Sequence, residues 1–320
     1  LIMSLLTKIK YQYNSRILQD LFSSNEYSKF FEHLEAQKDN IELYSQLLSK
    51  LCSTALLNNN DDIFKSKIIW LSSFMTDDTK YVSNFLNYYT NTIGENFSEA
   101  SHYEEKIVSI LKKISDIKNL NFVDFVDRSF LYQYLILHED SSQIKFIRNH
   151  LPFFSTPANL NFTKQTLTKS FIYILDHPYS VYQKIKENNQ NDQNVARNIF
   201  LNLDNHSYFT HIDNIKVEIN KQGWHTHTLS WTDTSVINSL NGMVMLKKEL
   251  VENTFESLSS IILHLIQSDL KIKMDYKLIE EFIQKNPLSK NISEINISQK
   301  EKKFIDQYID KILSSYNFQN

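Results

Sequence analysis

Three glycines, Gly94, Gly223 and Gly242, punctuate 320 residues. Glycine is the default wherever a chain must take a left-handed backbone or let a ligand approach the main chain closely. With three of them, far apart, the chain cannot assemble G-x-G-x-x-G, a P-loop or a G-x-S-x-G elbow. That disfavours Rossmann dehydrogenases, P-loop NTPases, ordinary kinases and α/β-hydrolases. H-E-x-x-H, paired C-x-x-C and calcium-loop patterns are absent as well. Four prolines in the same length leave few helix breaks, which favours long helices with polar joints.

The first half follows that expectation. Ile2, Leu5, Leu6, Ile9, Tyr13 and Ile17 recur at helical spacing. Asp39-Asn40-Ile41-Glu42 has the form of a capping box ahead of "LYSQLLSKLCSTALL". A further helix is expected to contain "IFKSKIIWLSSFM". Another is capped by Thr76 and carries Tyr81, Val82, Phe85, Leu86 and Tyr89, with Gly94 at its C′ position. Ser98 opens the next, with Ile107, Ile110, Leu111 and Ile114 as its stripe. "LPFFSTPANLNF", residues 151–162, holds two of the prolines and is the best boundary between domains. Helices are then expected over about 163–175 and from Pro178, a favoured first-turn residue. Val251, Phe255, Leu258, Ile262 and Leu265 mark another. Asp275 caps a short one, and Ser298-Gln299-Lys300-Glu301 is a capping box for the last.

The period changes once, in "KVEINKQGWHTHTLSW", residues 216–231. Ile215, Val217 and Ile219 alternate with polar neighbours, as in a strand. Lys221-Gln222-Gly223 is expected to turn, with Gly223 left-handed, and "WHTHTLSW" to return as the second strand. In that register Ile219 faces His225 and Val217 faces His227, which puts both imidazoles on one face. A slip of one residue brings Glu218 opposite His225 instead. Asn241-Gly242 reads as a second hairpin turn or a turn between helices.

His225 and His227, two apart on a strand, could share a cation. His206, His211, Asp204 and Asp213 lie just upstream and could complete the ligand set. A divalent ion there would activate water. Against that stands a plainer reading, two histidines hydrogen-bonded between layers. Asp124 and Asp127, and His138, Glu139 and Asp140, read as polar helix ends. The lone cysteine, Cys52, sits in an apolar run and reads as a small buried hydrophobe.

The net charge is −3, and no block of lysine or arginine offers phosphates a basic face, so nucleic acid is not the expected partner. No stretch reaches the ~18 uninterrupted apolar residues of a membrane span. The leading reading is therefore a mainly α protein, an irregular helical bundle or stack of helix pairs, with a small antiparallel β-hairpin or meander near residues 207–248. Residues 1–150 form an N-terminal helical domain and 151–320 a C-terminal one carrying the β insertion, unless the two are one. The function expected of it is a protein-interaction or scaffold subunit, cytoplasmic or exported without a signal peptide. It works through helical surfaces and the ribbon, with Trp224, Trp231 and Glu218 meeting another protein. The rival is a metal-dependent hydrolase at His225, His227, His206 and His211, its cofactor a divalent metal. The third is a nucleic-acid module.

Overall fold

The computed structural model describes residues 2–24, 67–75, 78–94, 97–114, 118–120, 144–153, 162–202, 208–219, 222–288 and 295–316, with a few more positions between 26 and 36 and between 132 and 137. The capping box at Asp39, Cys52, Asp124 and Asp127, the 138–140 cluster, Asp204 and His206 lie outside them.

The centre of the molecule is a parallel sheet, not a bundle. Its strands are β1 (Lys67–Ser73), β2 (Phe97–His102), β4 (Ile144–Asn149), β5 (Thr168–Leu175) and β8 (Gly242–Leu246), in spatial order β2-β4-β1-β5-β8. Every neighbouring pair runs parallel. The expectation of a mainly α fold is thus overturned: this is an α/β architecture, and the segments "KIIWLSS" and "TKSFIYIL", expected to be helical, are its two central strands. The reason is burial on both sides. Ile69 and Leu71 point into one core and Ile68 and Trp70 into the other, all at most 1% exposed. A strand covered on both faces loses its polar phase, and a short apolar run of this kind cannot be told from a buried helix by period alone.

Each core is sealed by its own helices. On one face lie α2 (Lys80–Thr92), α9 (Thr254–Gln267) and α10 (Tyr276–Lys285), whose Phe85, Tyr89, Ile262, Leu265 and Phe282 pack with Ile69, Leu71, Ile172 and Ile174 of the sheet. On the other lie α1 (Ile2–Ser23), α3 (Tyr103–Ile114), α4 (Pro178–Asn188), α5 (Gln193–Leu201), α6 (Trp224–Thr232) and α11 (Gln299–Tyr316), packed on Trp70, Phe171, Tyr173 and Leu175. The short α7 (Thr234–Leu240) and α8 (Lys247–Glu252) flank β8. Strands on both sides of residue 150 share the sheet. Several start signals read from the sequence are in place. Asp275 accepts from the Leu278 amide, and Ser298 and Glu301 form the reciprocal capping box of α11.

The β element at 207–248 exists but differs from the one expected. A second sheet has the order β3-β7-β6, with β3 (Asn119–Leu120), β6 (Tyr208–Ile212) and β7 (Ile215–Ile219). The hairpin partner of β7 is β6, upstream, joined through Asp213 and Asn214, both at positive φ. That two-residue turn of left-handed residues suits a hairpin. The supposed return strand is α6. Trp224, His227, Thr228 and Trp231 are all buried, at i, i+3, i+4 and i+7, so the same string carried a helical stripe beneath its alternation. Gly223 is not left-handed either; its φ is −57°. Asn241 ends α7 in the left-handed region, and Gly242 starts a parallel strand, not a hairpin.

Candidate functional site

In an open parallel sheet, ligands collect outside the carboxyl ends of the strands, where successive connections leave in opposite directions. Here that point is unambiguous. The chain leaves β1 for α2 on one face, and leaves β5 for α4 on the other. A crevice opens between these exits, with a volume of about 360 Å³, within the ordinary range for small-molecule sites. Met75, Asp78 and Tyr81 line it from the β1 side, Lys184, Glu187 and Asn188 from α4, and Lys247, Leu250 and Val251 from the end of β8 and α8.

Its floor is a closed ionic quartet. Lys247 Nζ donates to Asp78 Oδ1, and to Asp176 Oδ2 at 2.9 Å. Lys184 Nζ donates to the same Asp176 oxygen at 2.7 Å and lies 3.9 Å from Asp78. Asp176 Oδ1 accepts from the His177 amide at 2.8 Å. Both aspartates are buried, while both lysines keep about a third or less of their side-chain surface. Burial pushes both carboxyls upward. At Asp78 burial wins, helped by the Asp176 charge, and the group stands above its ordinary range. At Asp176 the two ammonium groups outweigh burial and hold it below. Burial works against the Lys247 cation, but Asp78 and Asp176 more than offset it and raise its pKa. A buried carboxyl displaced upward in a cleft is a recurring mark of a working site.

A second cluster sits at the same edge, where β2 and β4 end. His102 is the last residue of β2, Glu104 lies in the first turn of α3, and His150 follows β4 directly. One ligand atom from each falls within 4.8 Å of the others. His150 Nε2 is 3.2 Å from Glu104 Oε1, and the two imidazole rings stand 6.0 Å apart, edge to face. Glu104 and His150 are buried, His102 half-buried.

The residues singled out from sequence are placed otherwise. His225 is half-buried and His227 buried, both on α6. Residues two apart are neighbours on a strand but lie ~200° apart around a helix, so these imidazoles do not share a face. His227 Nε2 donates to the His150 carbonyl at 3.0 Å, and the Tyr173 hydroxyl meets Nδ1 at 3.0 Å, which commits both ring nitrogens. His211 is exposed on β6. Among the described residues the three-donor group is the one at His102, and none of these histidines belongs to it. Trp224 and Trp231 are buried, stacked with Phe200 and Tyr173. Glu218 is on β7, paired with Phe209. Sequence reasoning had no local signal for either edge cluster: Asp78, Asp176 and Lys247 are scattered over 170 positions. Only His102-x-Glu104 is visible as a short spacing.

Comparison of the sequence with protein-family models gives no match, and no curated protein matches it either. No helix among the described residues is long and apolar enough to cross a membrane.

Proposed function

We propose that this chain binds a small amphiphilic solute with a cationic head in the crevice where β1, β5 and β8 end. The position of that crevice, at the divergence of the β1 and β5 connections, carries the reading. The charge balance supplies the chemistry. Lys184 and Lys247 are spent on Asp78 and Asp176, and Glu187 on the rim takes its hydrogen bond from the neutral amide of Gln183. Three carboxylates therefore face two ammonium groups, and an added anion would be repelled. Leu250, Val251 and Met75 supply an apolar wall for the body of the solute. The sequence between β1 and α2 contains no glycine, the residue that phosphate-cradling motifs are built on. Asp78 is placed to exchange a proton with a bound head group.

The test is a ligand-observed NMR and thermal-shift comparison on the full chain, using benzylamine and agmatine against benzoate and inorganic phosphate. The amines are expected to bind and to raise Tm, and Glu187→Gln, at an exposed position, to weaken them about fivefold or less, the range of an exposed charge pair. Benzoate or phosphate binding equally well would sink the reading, as would the absence of any binding.

A protein partner stays as a second reading on one observation. Ile9 and Tyr13, one turn apart on α1, are 55% and 67% exposed, and apolar residues grouped on a surface are what interfaces use. The two tryptophans do not contribute to it, because both are buried in the core.

A further inference from the structure

We infer that His102, Glu104 and His150 form a binding site for one divalent first-row transition ion, zinc by preference. The sheet topology brings the three donors to one edge. β2 and β4 are parallel neighbours, with His102 opposite Arg148 in the register. His150 lies two residues beyond that pairing, so both imidazoles emerge from the same edge of the sheet. The chain turns straight from β2 into α3, which brings Glu104 back over the strand ends. Three donors from three backbone directions thus converge on one point, two imidazoles and a carboxylate.

Their spacing suits an ion. Metal–nitrogen and metal–oxygen bonds of about 2.0–2.2 Å put tetrahedral ligand atoms roughly 3.4 Å apart. The His150–Glu104 separation is 3.2 Å, and the other gaps need to close by little more than 1 Å from their 4.8 Å limit. The donor set is chemically selective. Two imidazoles suit zinc, copper, iron or nickel and not calcium, and two histidines with one glutamate is a ligand set that catalytic zinc uses. Three protein ligands leave a coordination position open, the pattern of catalytic rather than structural zinc.

The loop that carries His150 is held in place. His227 Nε2 donates to the His150 carbonyl, and the Trp231 indole donates to the Leu151 carbonyl at 2.9 Å. The Asn149 side chain brackets Leu151 from both sides, accepting from its amide and donating to its carbonyl, each at 3.1 Å. Fixing the backbone of a ligand removes ordering cost from binding and holds the ring in its direction. Two residues of the histidine-tryptophan string at 224–231 therefore serve the site without being ligands.

The experiment uses the full chain, stripped with a chelator and dialysed, and titrated with Co²⁺ and then Zn²⁺. Expected are visible cobalt d–d bands saturating at one ion per chain and displaced by Zn²⁺. His102→Ala, at a half-buried position, should weaken Co²⁺ binding by at least the 10- to 100-fold that groups merely orienting a ligand are worth. His150→Ala should do the same, and His225→Ala should leave binding unchanged. Circular dichroism establishes that each variant is folded. Failure of folded wild-type protein to take up either ion overturns the inference. So does uptake that His102→Ala leaves intact. Because the crevice is assayed with organic amines and no added metal, either idea can fail without the other.

Discussion

At the scale of single residues, Lys247 is the most exposed to test. It lies between two buried carboxylates that would otherwise face each other. Removing one partner of a buried ionic group costs several kcal/mol, because the remaining charge is left without compensation. Lys247→Met is expected to destabilise the chain by about 3 kcal/mol at neutral pH. The pH dependence has a definite sign. In the wild type Asp176 is held below its ordinary value of 3.8, so its contribution is complete above that value and is lost as pH falls through the lower folded one. In the variant one ammonium group has gone, and burial and mutual repulsion raise the two carboxyls. The folded state then binds more protons than the unfolded one, and stability declines as pH rises above the ordinary carboxylate range. The deficit should thus be small near pH 4 and largest near pH 8, read from urea unfolding at both. An equal deficit at the two values would show that Lys247 matters for packing and not for charge.

At the scale of elements, the glycines divide by what they do. Gly94 ends α2 at φ +72° with open space where a side chain would go. Gly223 has an ordinary φ, but a Cβ there would stand 2.3 Å from the Leu201 carbonyl carbon, at the end of α5. Its task is to let the start of α6 lie against that helix end. Gly94→Ala is expected to cost ~1 kcal/mol for the left-handed backbone. Gly223→Ala should cost more, about 2–3 kcal/mol, since overpacking against backbone cannot be relieved by a rotamer change. Chemical denaturation of the two variants side by side decides it, and equal costs would refute the close-approach argument. The same junction explains what could and could not be read beforehand. A backbone need at Gly223 was legible; its kind was not, because crowding by Leu201 is a contact across more than twenty residues. Helix starts with their own caps, Pro178, Asp275 and Ser298, were legible, since the signal and the structure it makes are adjacent in the chain. β1 and β5 were not, because their two-sided burial is decided by helices far away in sequence. The edge clusters share that fate: Asp78, Asp176 and Lys247 acquire their meaning only when three strand ends are brought side by side.

At the scale of the whole molecule, the order β2-β4-β1-β5-β8 has a consequence for any division of the chain. β1 is the middle strand. It pairs with β4 from before residue 150, and from Ile68 to Ser73 with β5 from after it. The core on the α2 face mixes the halves as thoroughly, with Phe85 stacked edge to face on Phe282 and Tyr89 donating to the Lys273 carbonyl. Cutting between 150 and 151 would expose one edge of β1 along its length and strip α2 of the helices that cover it. Unpaired strand edges and bared apolar faces are what make a fragment unfold or aggregate. Fragments 1–150 and 151–320, produced separately, are therefore expected to lack a cooperative thermal transition by circular dichroism, while the full chain shows one. If either fragment melts cooperatively on its own, the seam between β1 and β5 joins two independent units. The crevice at their carboxyl ends would then lie between domains able to move against each other, and the quartet of Asp78, Asp176, Lys184 and Lys247 would be the latch that holds them together.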